Sequence, residues 1–86
     1  MAIAIDAQHE IRWQEPVWVR VGYGSPEAVR GPNQAITYLT FRWPAARGDG
    51  FNDAMERCNL ALRKEFKHDA AREAFIRVAQ EADMMA

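Results

Sequence analysis

Residues 49–66 read DGFNDAMERCNLALRKEF, and the way this stretch folds decides what the rest of the chain can pack against. Phe51, Ala54, Met55, Cys58, Ala61 and Leu62 recur at steps of three and four residues, which puts them on one face of a helix. Asn52, Asp53, Glu56, Arg57, Arg63 and Lys64 fill the opposite arc, which water can solvate. The spacing predicts a central helix with its apolar stripe turned to a core. Asp49 stands where a cap belongs, and with Asp53 it suits the positive N-terminal end of the helix.

Upstream, PAARGDG is a loop. Before it, residues 33–43 (NQAITYLTFRW) carry two competing signals. Ile, Thr, Tyr and Phe favour strand, whereas Ala35, Ile36, Leu39 and Trp43 align on a helical wheel. Gly31–Pro32 is a helix start, with glycine near the cap and proline in the first turn, so helix is preferred, ending near Arg42 because Trp43 precedes Pro44. Further upstream the period changes to two. Ile11, Trp13, Val17, Val19 and Val21 share one parity, and Arg12, Trp18 and Arg20 share the other, as in a half-buried strand interrupted near Pro16. GYGSP then supplies a turn, and residues 27–30 return as a second strand with Val29 inward. If Val19 faces Val29, Trp18 lies opposite Arg30. Downstream, a third helix is expected from about Ala70 to Asp83, with Ala71, Ala74, Phe75, Val78 and Ala82 on one face. The sum is an α+β fold, an N-terminal β-hairpin packed on three α-helices in the order ββααα.

At 86 residues the chain is one domain, residues 1–86, with residues 1–10 read as a loose tail in which Ile3 and Ile5 could form a short edge strand. A chain this short buries only about 60–65% of its unfolded surface, so a partner or a second copy could usefully support it. The formal net charge is −1, which gives no global pull toward nucleic acid or a membrane. No apolar run approaches the roughly 20 residues needed to span a bilayer. One cysteine, Cys58, excludes an intramolecular disulfide and agrees with a reducing compartment; with no signal-peptide pattern at the start, the expected location is the cytoplasm.

Several of these features occur together as PVWV at residues 16–19, Ala35 and Leu39 before Trp43–Pro44, then Gly48, Phe51, Ala54, Cys58, Ala61, Leu62 and AREAFI at residues 71–76. The ordered set resembles domain of unknown function 982, small bacterial proteins found mainly in soil and plant-associated alpha-proteobacteria. The likeness runs from about residue 13 to 83. It implies a small soluble hairpin-plus-helices domain, with no established activity and no catalytic residues to carry over.

No constellation points to catalysis. Cys58 lies on the apolar face between Met55 and Leu62 with no base beside it, the setting of an inert packing cysteine. His9 and His68 do not stand at metal-ligand spacing, and no cofactor is expected. RGDG is too short for a nucleotide-binding fingerprint. Arg47 and Gly48, ahead of the central helix, could hold an anion at the first-turn N–H groups, against the simpler reading of a capped loop.

The stronger candidate is Trp18. Parity turns it away from the valines, with Arg20 and Arg30 nearby, which suits a partner hot spot or a base-stacking platform. The alternative is a local cation–π pair. Tyr38 and Phe41 fall off the apolar stripe of the first helix and would extend an interface, as would Leu60 and Ile76 on the others, unless a helix sandwiched between layers buries them. At the turn between the last two helices, Arg63, Lys64, Lys67, His68 and Arg72 suggest helix-turn-helix DNA binding, but Glu65, Asp69 and Glu73 interrupt them. The preferred expectation is therefore a small interaction or accessory protein acting through Trp18, Arg20, Arg30, Tyr38 and Phe41 on an unknown protein partner or on itself. An anion- or metabolite-binding protein or enzyme using Arg47 comes second and nucleic-acid binding third.

Overall fold

The computed structural model describes residues 12–44, 48–64 and 67–86. Two short strands, β1 (Val17–Val19) and β2 (Glu27–Val29), pair antiparallel, and three helices follow, α1 (Pro32–Phe41), α2 (Asp49–Leu62) and α3 (His68–Glu81). This is the ββααα order of an α+β domain. The expected strand at Ile3 and Ile5 and the role of Ile11 lie outside the described residues, whereas the central helix, read over residues 49–66, ends earlier, at Leu62 with Arg63 as its cap and Lys64 at the left-handed φ of 64.

The strands are short for a local reason. Pro16 precedes β1 and Pro26 precedes β2, and neither can donate to a ladder. Trp13 is consequently not in a strand, although its N–H still donates to the Arg30 carbonyl at 2.8 Å and its ring is buried. Between the strands the chain turns tightly at residues 21–24. Gly22 takes φ +61, and the Gly24 N–H donates to the Val21 carbonyl at 3.1 Å. The register pairs Val17 with Val29, Trp18 with Ala28 and Val19 with Glu27. This corrects the expected pairing of Trp18 with Arg30. The slip is two residues, so every side chain keeps its face and Trp18 still points outward.

Helix α1 starts as expected, with Gly31 extended at the cap and Pro32 at the first position. The Gln34 side chain reaches back to accept the Arg30 N–H at 2.7 Å. Burial of Ala35 and Leu39 outweighs the strand preference of Ile36, Thr37 and Thr40. Helix α2 is capped by Gly48, with Asp49 its first residue, one position later in role than expected. It packs against both α1 and α3, with α3 the larger contact. Ala54, Cys58 and Ala61 on α2 and Ala71, Ala74 and Ala79 on α3 are all buried, and these small side chains allow the two backbones close approach. Helix α3 begins at the Lys67 cap, about two residues earlier than its periodicity suggested.

The aromatic centre of the core belongs to α3. Phe75 is fully buried, with the ring of Trp13 at 6.0 Å and that of Trp43 at 5.5 Å between centroids. Tilted pairs at this range add to the area they bury. Three residues from three separate segments thus meet under the hairpin.

The last residues form a part of the sheet that no local pattern announces. Beyond α3, Asp83 takes the left-handed φ of 58; its N–H donates to Gln80 at 3.1 Å and that of Met84 to Ala79 at 2.8 Å. This paired return is the Schellman arrangement, here with aspartate where glycine is usual. It sends residues 84–86 back beside β1. The Arg20 N–H donates to Met84 at 2.7 Å, the Ala86 N–H to Trp18 at 3.1 Å, and Val19 bridges Met85. β1 is therefore held on both edges, and Met84 is buried.

Candidate functional site

Trp18 sits mid-strand on the outward face, 48% exposed, and its cross-strand neighbour is only an alanine. Arg20 follows it with the same parity and makes no ion pair among the described residues. Because β1 is paired on both edges, this aromatic is presented by a fixed backbone. Arg30 keeps the outward face by parity but stands beyond the end of β2 rather than across from Trp18. The arginine that does stack on an aromatic ring is elsewhere: the Arg42 guanidinium lies 4.9 Å from the centre of the Tyr38 ring.

Tyr38 and Phe41 separate. Phe41 is 79% exposed and free to meet a partner. Tyr38 is half-buried and engaged within the fold, donating its hydroxyl to Glu27 Oε1 at 2.5 Å. Arg42 closes the same cluster with a two-pronged pair to Glu27, 2.6 Å to Oε1 and 2.8 Å to Oε2. The pair ties β2 to the end of α1 across 15 residues of sequence. The hydrogen bonds from Arg42 first and Tyr38 second lower the Glu27 carboxyl from 4.5 to about 2. Burial first, and then the bond to Glu27, raise the Tyr38 hydroxyl.

A depressed carboxylate favours its ionised form in the folded chain, so its contribution is full above pH 4.5 and is lost as pH falls toward 2. Glu27→Gln is accordingly expected to be less stable than wild type above pH 5, with the gap narrowing steadily between 4.5 and 2. Urea midpoints measured from pH 2 to 6 test this, and parallel curves for the two proteins would exclude the cluster as a source of stability.

Cys58 is fully buried, and burial pushes its thiol up to about 12, so it carries no thiolate to react at neutral pH. Among the described residues no group of three or more His, Cys, Asp or Glu is placed to hold a metal ion. At the start of α2, Arg47 lies outside the described residues. Gly48 is exposed, and a side chain built at Gly50 would overlap the Glu81 carboxylate. That helix end already faces an acid of its own chain.

Two of the hollows among the described residues are lined by more than one cation. One, of about 420 Å³, lies between the hairpin turn, the end of α1 and the C-terminal return, with Arg20, Arg42, Trp43 and Met84 among its walls. The other, of about 570 Å³, is bounded by Arg12 and Gln14 on one side and Lys64, Lys67, His68 and Asp69 on the other. The turn cations singled out in the sequence divide their tasks. Arg72 Nε donates to the Glu15 carbonyl at 2.9 Å, and His68 Nε2 lies 3.2 Å from the Ala61 carbonyl. Lys64 and Lys67 remain to face the hollow. Arg12 joins them from more than 50 positions away, which no spacing in the sequence could announce.

The family model described as "Protein of unknown function (DUF982)" matches residues 15–86. The NMR structure of Agrobacterium tumefaciens protein Atu1219 is similar at a TM-score of 0.73 and 28% sequence identity, covering 88% of this chain and 76% of that one. No curated protein sequence matches the chain. No helix among the described residues is long and apolar enough to cross a membrane.

Proposed function

The chain belongs to the DUF982 family of proteins of unknown function, and from that premise we propose that it is a small bacterial docking module, binding a protein partner or a second copy of itself through the solvent face of its sheet. The observation that carries this is Trp18, 48% exposed on a strand fixed along both edges and flanked by Arg20. Tryptophan and arginine dominate binding energy where they enter a partner's pocket, and a rigid platform reduces the ordering cost of contact. Phe41 can widen the contact, whereas Tyr38 serves the fold. The buried free thiol suits the cytoplasm, where we place the protein.

Trp18→Glu is expected to weaken association by at least ~30-fold, a hot-spot loss of about 2 kcal/mol or more. The fold should persist with a loss of about 1–2 kcal/mol, since the ring is about half exposed and lies outside the buried core. Affinity capture from native lysate with both baits, beside sedimentation of the purified proteins, separates a partner from self-association. Equal capture and equal sedimentation by the two proteins would refute the assigned face. The anion reading at Arg47 and Gly48 has less support, because the Glu81 carboxylate stands at the same helix end.

A further inference from the structure

We propose that the hollow between Arg12 and Gln14 on one side and Lys64 and Lys67–Asp69 on the other binds the phosphoryl or pyrophosphoryl group of a small phosphorylated metabolite. Among the described residues, three cations, Arg12, Lys64 and Lys67, border it against one carboxylate, Asp69, with His68 beside them. Glu65 lies between the lysines in sequence and outside the described residues. None of the three cations makes an ion pair among the described residues. Fork-shaped and point-like donors approaching from two separate segments suit a tetrahedral dianion better than a single carboxylate.

The backbone beside the hollow is held within the fold. Trp13, between Arg12 and Gln14, is clamped on Phe75 with a 6.0 Å centroid distance, and its N–H is held by Arg30 at 2.8 Å. Arg72 fastens the next residues to α3 through the Glu15 carbonyl at 2.9 Å. His68 is fastened to the end of α2 by its 3.2 Å approach to Ala61. The hollow, of about 570 Å³, is open and polar-walled, which suits a solvated phosphoryl group rather than an apolar ligand. A nucleic acid is less well served: the whole chain carries −1, and three cations make too few phosphate contacts for strong binding.

Both lysines also occupy positions that stability alone would fill differently. Lys64 holds φ 64 just past the end of α2, a site that favours glycine. Lys67 is the cap residue of α3 and makes no side-chain capping bond, where serine or aspartate would. A pair of lysines at two disfavoured positions, both bordering one hollow, points to use of the side chains rather than to folding.

This duality gives a test that unfolding cannot confuse. The ¹⁵N-labelled chain is titrated with sodium pyrophosphate at constant ionic strength, in parallel with sodium chloride, for wild type, Lys64→Gly and Lys67→Ser. Saturable amide shifts centred on residues 12–14, 64 and 67–69 are expected, with affinity reduced about threefold to tenfold in each variant. Each variant should nevertheless melt about 2–6 °C higher than wild type. Identical shifts with chloride, or unchanged pyrophosphate affinity in both variants, would overturn the proposal. So would a DNA or RNA oligonucleotide that binds the same residues far more tightly with a steep salt dependence, which would make the groove a nucleic-acid site.

Discussion

Phe75→Ala is expected to cost about 3–5 kcal/mol, the range for truncating a buried aromatic. A domain of this size has roughly 4–13 kcal/mol in total, so the loss removes from about a quarter to all of it. The large figure follows from position. Phe75 is fully buried on α3 and lies between Trp13, from the segment ahead of β1, and Trp43, from the end of α1. Removing the ring leaves a void between two buried tryptophans whose backbones are restrained, Trp13 by its bond to Arg30 and Trp43 by the following Pro44, which limits how far the site can collapse. Urea unfolding followed by far-UV circular dichroism gives the loss directly. Phe75→Leu, which keeps most of the volume, should lose markedly less. A cost below about 1 kcal/mol for the alanine variant would show that the three rings are not the centre of the core.

That cluster also shows where local pattern ends and tertiary structure begins. Parity placed Trp13 inward, and the wheel placed Phe75 and Trp43 on apolar stripes. All three positions were legible because one face of each element must leave water. Their meeting was not legible, since it depends on how three segments cross. The hairpin register shows the same boundary. The two-residue difference between Val19–Val29 and the actual Val17–Val29 pairing leaves every face unchanged, so hydrophobic alternation cannot detect it. The turn at Gly22 decides it, through a backbone angle rather than a side-chain period. Exposure of Trp18 was readable for the same reason that its partner was not. The Glu27–Arg42 pair and the approach of Arg12 to Lys64 join residues far apart in sequence, with no periodicity linking them.

The C-terminal return was the least legible element, and its removal gives the second large effect. Deleting residues 84–86 is expected to cost about 2–4 kcal/mol, since Met84 is as buried as a core residue and its truncation alone falls in that range. Backbone pairing adds a separate consequence. Without the return, the Arg20 N–H and Trp18 carbonyl lose their partners, and β1 becomes an open edge able to pair with another chain. Met84→Ala removes the side chain but keeps the ladder. It should therefore share the stability loss without exposing the edge. Sedimentation velocity and urea midpoints on both variants separate the two effects, and repeating them in the Trp18→Glu background distinguishes edge pairing from contact through the sheet face. Self-association that appears on deletion and survives Trp18→Glu identifies the edge. A deletion variant with wild-type stability would mean that residues 84–86 do not hold the sheet. The docking proposal depends on that outcome too, because a β1 freed on one side would no longer present Trp18 from a fixed platform.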